Sequence, residues 1–144
     1  MGGGYITANF NNTLGAGTIS NWLMTPVRTL NNGDTISFYT RTVGSPIAPD
    51  RLRLMLSVNG ASTDPADFTA TLITINEGLT LSGYPTDWTQ YGGTLSGFPA
   101  GGLSGRFAFW YDVPNGGPNG INSDYIGIQW FVKNRRFAAW ACEK

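Results

Sequence analysis

The segment Asp34–Val58 constrains the fold of this chain more than any other stretch of its sequence. In its first half, Ile36 and Phe38 fall on one side of an extended chain, and Tyr39 and Arg41 fall on the other side. In its second half, RLRLMLSV, an aliphatic residue occupies every second position. A repeat of two residues is typical of a strand that buries one face and exposes the other. We therefore predict two half-buried strands here.

The same alternation recurs along the chain and predicts an all-β fold. The sequence holds 20 glycines and 8 prolines but only 12% charged residues, which is typical of many turns between short strands. No segment has the periodicity of a helix. We predict one domain over residues 1–144, an antiparallel two-sheet β-sandwich, with residues 1–4 as a leader and 132–144 as a C-terminal extension. The predicted strands are 5–10, 18–25, 34–43, 51–58, 68–75, 88–95, 105–113 and 124–132.

The composition also limits the chemistry and the partners of the chain. The chain has no histidine, which excludes Ser-His-Asp and Cys-His catalysis and histidine-ligated zinc. Cys142 is the single cysteine, so an internal disulfide is excluded. Because 9 basic residues balance 9 acidic ones, we expect no nucleic-acid partner. The N-terminus lacks a signal-peptide pattern and no run of residues is long enough to span a bilayer, so we expect no membrane insertion.

Several segments, taken in order, carry a resemblance to a known family. They are SNWLMTP, GDTISFYTRT, PDRLRLMLS, WTQY, GRFAFWY and DYIGI. In this order and spacing, over roughly Tyr5–Ile128, the chain resembles the choice-of-anchor J domain, a relative of the cleaved-adhesin and MAM-like jelly rolls. The resemblance implies a jelly-roll sandwich of bacterial secreted or surface proteins that serves adhesion or the binding of glycans and proteins. It implies no established catalytic residues.

The chain departs from this family at both ends. Family members carry a further strand before the position of Tyr5, and acidic residues after the position of Ile128, where this chain has Gln129 and Trp130. We therefore expect a shortened domain with a divergent C-terminal extension. The resemblance suggests a secreted or cell-surface location, although no signal peptide is present, so the compartment stays open.

Outward aromatic and arginine residues on the predicted strands are the first candidate site. If the strands at 35–43, 51–58 and 105–113 lie in one sheet, these side chains form one patch. Sugars are recognised by flat aromatic surfaces and planar hydrogen-bond donors, and this patch supplies both. The alternative is that they are ordinary cross-strand partners, or a second layer packed against the tail. The candidate ligand-binding residues are Tyr39, Arg41, Arg53, Arg106 and Trp110.

Two aspartates are the candidates for a metal site or a catalytic pair. Calcium prefers about six to eight oxygen ligands, and Asp112 and Asp124 are the candidate carboxylates. The same two residues would serve glycoside hydrolysis only if their strands were neighbours. Turn and capping roles are the alternative for such loop aspartates, and apart from calcium we expect no cofactor.

The C-terminal tail is the candidate interaction segment. Without the family's first strand, a sheet edge or groove would lie open, which favours aggregation. We expect Phe131, Phe137 and Trp140 to cover it, either in the same subunit or in a partner. Basic residues beside these aromatic side chains are also compatible with single-stranded nucleic acid, but the signal is weak.

Together these observations predict a non-catalytic binding module, adhesin-like, whose ligand is a carbohydrate or another surface polymer. The ligand would lie on the patch or on the loops Ser45–Pro49 and Pro114–Ser123. The alternative is a structural protein that forms a homo-oligomer, such as a homodimer, through an exposed sheet edge and its tail. An enzyme is the third hypothesis.

Overall fold

The computed structural model describes residues 4–131 and 141–143, and it shows two antiparallel sheets packed as a β-sandwich. The predicted fold class is therefore confirmed. Among the described residues there is no α-helix, hence none long and apolar enough to cross a membrane. The strands are β1 (Ile6–Asn9), β2 (Ile19–Met24), β3 (Arg28–Leu30), β4 (Thr35–Arg41), β5 (Leu52–Ser57), β6 (Ala70–Ile75), β7 (Thr89–Thr94), β8 (Leu103–Val113), β9 (Tyr125–Phe131) and β10 (Ala141–Glu143).

Each predicted strand segment contains a strand, but β3 and β10 were not predicted. β3 has only 3 residues, which is too short for a two-residue alternation to be recognised. β10 lies in the C-terminal extension and pairs antiparallel with β2. Single turns of 3₁₀-helix occupy Phe10–Asn12 and Pro65–Asp67, where Asn9 and Asp64 cap the first turn with their side chains.

The order of the strands is that of a jelly roll. The smaller sheet has the order β1-β9-β4-β7, and the larger sheet has the order β10-β2-β8-β5-β6, with β3 also paired to β8. The antiparallel pairs β1·β9, β2·β8, β4·β7 and β5·β6 are nested inside one another. Such nesting results when one long hairpin is rolled up, and the pairs β4·β9 and β5·β8 complete the roll.

The facing surfaces of the two sheets form the main core. Ile36 and Phe38 of β4 are buried, and the ring of Phe38 packs edge-to-face on Phe109 of β8 with centroids 4.9 Å apart. Burying a large apolar side chain stabilises a fold by about 1.5–3 kcal/mol, so such rows determine which face of each strand turns inward. The inward residues of β8 are Phe107, Phe109, Tyr111 and Val113, as the alternation predicts.

A buried carboxylate joins the two sheets at one end of the sandwich. Asp50, only 1% exposed, accepts hydrogen bonds from the hydroxyl of Tyr111 at 2.6 Å and the backbone N–H of Asp124 at 3.0 Å. Its other oxygen lies 3.0 Å from the hydroxyl of Thr42 and 3.4 Å from the backbone nitrogen of Tyr125. Since Tyr111 belongs to the larger sheet and Tyr125 to the smaller one, Asp50 connects both.

The loops at this end are fastened to one another by backbone hydrogen bonds. Gly116 donates to the carbonyl of Gly17, and Ser123 donates to the carbonyl of Pro49. Thr42 donates to the carbonyl of Pro85. The connections β1–β2, β4–β5, β6–β7 and β8–β9 therefore lie together at one end.

Candidate functional site

The structure divides the candidate patch between the two sheets, so the condition for a single patch, that the three strands lie in one sheet, is not met. Tyr39 and Arg41 lie on β4 in the smaller sheet, whereas Arg53, Arg106 and Trp110 lie on β5 and β8 in the larger sheet. All of them alternate with buried residues, which places them on the outer faces. The alternation specified the side of each strand correctly, but it carried no information about which sheet the strand joins.

On the larger sheet, Trp110 is part of a packed outer layer. Its ring stacks on Trp22 of β2, with centroids 4.7 Å apart and the planes inclined by 14°. The guanidinium of Arg53 lies 5.6 Å from the centroid of Trp110, on the strand at the other side. The indole N–H donates to Ser20 at 2.9 Å. A second cluster of Met24, Met55, Phe68 and Ala108 is buried beside these tryptophans.

The arginines of the larger sheet are already engaged by carboxylates and carbonyls. Arg53 pairs with Asp112 at 3.1 Å and with Glu77 at 3.0 Å, and Arg51 pairs with Asp112 at 2.7 Å. Arg106 donates to backbone carbonyls at 3.1 and 2.8 Å. Because most of these donors and both sides of Trp110 are occupied, this face has the character of a structural layer, one of the alternatives that the sequence left open.

On the smaller sheet, Arg41 lies in an aromatic cluster that the sequence analysis did not assemble. Its guanidinium lies 5.6 Å from the centroid of the Trp88 ring. Tyr5 packs edge-to-face on Trp88 with centroids 5.3 Å apart, and the hydroxyl of Tyr125 interacts with Tyr5. Tyr39, two residues before Arg41, donates its hydroxyl to Gln90 at 3.1 Å. We call Tyr5, Arg41, Trp88 and Tyr125 the aromatic–arginine surface.

Gly127 lies at the centre of the aromatic–arginine surface, beneath the rings of Tyr5 and Trp88. It pairs with Arg41 on one side and with Thr7 on the other. A Cβ atom at Gly127 would lie 3.0 Å from the Trp88 ring and 3.2 Å from the Tyr5 ring. The missing side chain therefore allows two rings, from opposite edges of the sheet, to meet over its centre.

The titration behaviour of Tyr125 keeps its phenol neutral. Burial and the contact with Tyr5 together raise the pKa of Tyr125 to about 12, although the nearby charge of Arg41 and a hydrogen bond with Thr7 act in the opposite direction. At neutral pH the hydroxyl of Tyr125 is therefore both a donor and an acceptor of hydrogen bonds.

Sequence signals for this surface existed but were incomplete. Tyr5 and Trp88 are the first residues of two predicted strands, and Tyr125 is the second residue of another. Nothing in the spacing indicated that β1 and β7 are the two edges of one sheet, with β9 and β4 between them. The meeting of Tyr5 and Trp88 is a consequence of that order.

The structure does not bring Asp112 and Asp124 together as a site. Asp112 lies on β8 in the larger sheet and accepts from two arginines. Asp124 precedes β9 in the smaller sheet and accepts from the backbone N–H of Ile47 at 3.0 Å. The condition that their strands are neighbours is therefore not met. Within residues 4–131 and 141–143, no group of 3 or more acidic, histidine or cysteine side chains is placed to hold a metal.

The tail residues expected to cover an edge fall mostly outside the described part of the chain. Phe137 and Trp140 are not described, and for Phe131 only its backbone, in β9, is described. The backbone of β10 nevertheless lies along β2, so the tail covers an edge of the larger sheet within the same subunit. The opposite edge strand, β6, has a register shift at Leu72, which faces no partner residue on β5. A bulge of this kind makes an edge a poorer template for another strand.

The loops Ser45–Pro49 and Pro114–Ser123 lie at the same end of the sandwich. Each carries one strongly exposed aliphatic residue, Ile47 at 89% and Ile121 at 72%. The adjoining loop before β2 adds Leu14, which is 90% exposed. These side chains protrude from loops rich in glycine, asparagine, serine and proline, and Asp124 accepts a hydrogen bond from the backbone of Ile47.

The comparisons with known proteins bear on the fold. No protein-family model matches the chain, and no curated protein matches it. Solved structures that resemble it include the K1 and K3 cleaved adhesin domains of Lys-gingipain from Porphyromonas gingivalis W83. The K1 domain is 21% identical with a TM-score of 0.58, and the alignment covers 88% of this chain and 70% of that one. The K3 domain is 19% identical with a TM-score of 0.60 and the same coverage.

The chain shares the fold of the cleaved adhesin domains. That relationship confirms the part of the resemblance that concerned the adhesin-like jelly roll. The narrower assignment to choice-of-anchor J domains stays a prediction.

Proposed function

We propose that this chain is a non-catalytic, adhesion-type module of the choice-of-anchor J kind that binds carbohydrate through the aromatic–arginine surface. The observation that carries the proposal is the meeting of Tyr5 and Trp88 over Gly127, directly beside the guanidinium of Arg41. The likeness to cleaved adhesin domains supports the adhesive role. It also gives reason to expect no catalysis, and the separation of Asp112 from Asp124 removes the carboxylate pair considered for an enzyme.

The chemistry of the surface fits a sugar. Aromatic rings bury the C–H faces of pyranose rings, and phenol and guanidinium groups hydrogen-bond with hydroxyls. Tyr5 is 50% exposed, so its ring is accessible. The hydroxyl of Tyr125 and the donors of Arg41 flank that ring. Arg41 and Tyr125 lie on strands, and Tyr5 and Trp88 directly precede strands, so the sheet holds the surface in a fixed geometry.

A glycan array of the purified chain tests this proposal. Wild-type protein should bind a defined set of glycans, and Trp88→Ala should remove that binding while the thermal unfolding temperature changes little. Trp110→Phe, a matched change on the outer face of the larger sheet, should leave binding intact. Loss of binding in Trp110→Phe but not in Trp88→Ala would move the site to the larger sheet. A blank array would contradict carbohydrate recognition. Repeating the array in calcium and in chelator tests whether binding requires calcium.

The alternative proposal is a homo-oligomer, and the exposed aliphatic side chains at one end favour it. Leu14, Ile47 and Ile121 would lose contact with water if two copies met end to end. Sedimentation velocity at increasing concentration should then show a rising mass. The triple change of these residues to serine should return the protein to a monomer, whereas Leu72→Lys on β6 should not.

A further inference from the structure

Arg41 differs from every other described arginine in its surroundings. Arg28, Arg51 and Arg53 form ion pairs with carboxylates, and Arg106 donates to two backbone carbonyls. The guanidinium of Arg41 makes neither an ion pair nor a hydrogen bond with any residue in the described part of the chain, and its contact is with the ring of Trp88. No described residue therefore occupies the donors that a ligand would need.

The charge of Arg41 is isolated on its face. It is the only charged residue within the strands of the smaller sheet, whose sequences are ITAN, TISFYTR, TQYGGT and YIGIQWF. Three acidic residues lie just outside these strands, and one of them, Asp34, precedes Thr35 and pairs with Arg28. Asp87 precedes Trp88, and Asp124 precedes Tyr125 but already accepts from Ile47. Among the described residues, no carboxylate forms an ion pair with Arg41.

We propose that the aromatic–arginine surface selects a carbohydrate that carries a carboxylate, such as a uronic or sialic acid, and that Arg41 pairs with this carboxylate. The inference rests on the proposed function and adds the charge of the ligand. A guanidinium presents a planar fork of donors that matches a carboxylate in two parallel hydrogen bonds. The Trp88 ring holds this fork from one side, which lowers the entropy lost when the ligand binds. The neutral phenol of Tyr125 accepts or donates to a neighbouring hydroxyl without repelling the acid.

Matched pairs of glycans that differ only in charge test the inference. Oligogalacturonate is compared with its methyl ester, and sialyllactose with lactose, by titration calorimetry at low ionic strength. For at least one pair, the acidic member should bind about tenfold more tightly or better, because a charge-assisted bidentate pair is roughly twice as strong as a neutral hydrogen bond. The preference should weaken as salt is added.

Variants separate the inference from the proposed function. Arg41→Gln should abolish the preference for the acidic member, and Arg41→Lys should keep part of it. Arg28→Gln removes one positive charge from the larger sheet, where Arg28 pairs with Asp34, and should keep all of it. If neutral and acidic members bind equally, or Arg41→Gln keeps the preference, the inference is wrong although carbohydrate binding stands. If no glycan of any kind binds, both are wrong.

Discussion

Replacement of Asp50 tests how this sandwich tolerates a buried carboxylic acid. The hydroxyl of Thr42 has a single hydrogen but lies 3.0 Å from Asp50 and 2.7 Å from the carbonyl of Tyr125. If Thr42 donates that hydrogen to the carbonyl of Tyr125, its hydroxyl can form a hydrogen bond with Asp50 only as the acceptor. The carboxyl of Asp50 must then be protonated to donate it. Burial raises the pKa of Asp50 above its ordinary value, and the hydrogen bonds from Tyr111 and Asp124 only oppose this effect. We therefore expect the folded protein to hold Asp50 protonated to a higher pH than the unfolded chain does.

Asp50→Ala and Asp50→Asn should lower the free energy of unfolding by very different amounts. Asp50→Ala leaves the hydroxyl of Tyr111 and the N–H of Asp124 buried without an acceptor. Each such loss costs about 1–3 kcal/mol, so we expect the free energy of unfolding to fall by about 4 kcal/mol. Asp50→Asn keeps a carbonyl for these donors and places an amide N–H where the protonated acid donates to Thr42. Its cost should be near 1 kcal/mol.

The pH dependence of the free energy of unfolding distinguishes a protonated Asp50 from an ionised one. A carboxyl whose pKa is raised on folding contributes stability that is complete below its unfolded pKa, ordinarily 3.8. That contribution is lost as the pH rises through the pKa of the folded state. Asparagine does not titrate, so the deficit of Asp50→Asn should be largest in acid and should shrink toward neutral pH.

Urea unfolding followed by tryptophan fluorescence, from about pH 3 to about pH 7, measures this difference. A deficit of Asp50→Asn that grows with pH would refute the reasoning, because it would mean that the surrounding donors stabilise an ionised carboxylate. An Asp50→Ala protein as stable as Asp50→Asn would refute the assignment of the two buried donors.

Three further predictions follow from the faces and the tail. Trp110→Ala should lower the free energy of unfolding by about 3 kcal/mol, because it removes the stack on Trp22; chemical denaturation measures this. Gly127→Ala should displace the ring of Trp88, reduce glycan binding and alter near-ultraviolet circular dichroism, with stability lowered by less than about 1 kcal/mol. Removal of residues 132–144 uncovers the β2 edge and should yield an aggregated or strongly destabilised protein; an equally stable, soluble truncation, judged by light scattering, would contradict this.

The sequence predicted which face of each strand is buried, because the alternation of apolar and polar residues is a local property of the chain. Ile36 and Phe38 alternate with outward residues in the sequence, and the structure places both in the core. The same reasoning located the inward row of β8. Short or tail strands were missed because β3 and β10 are 3 residues each, and their formation depends on a neighbouring strand with which to pair.

The sequence did not predict which outward residues lie together, because residues that are neighbours in a jelly roll are distant in sequence. Arg41 and Arg53 are close enough in the sequence to be partners in one hairpin. Their strands, β4 and β5, nevertheless belong to different sheets. Nested pairing instead puts Arg41 beside Trp88 and near Tyr5, one from each edge of the smaller sheet. A chain rolled in this way assembles an outer face from strands at the start, the middle and near the end of the sequence, here β1, β4, β7 and β9. Such a face depends on the small residue at its centre, because any side chain at Gly127 would press on the rings of Tyr5 and Trp88 above it.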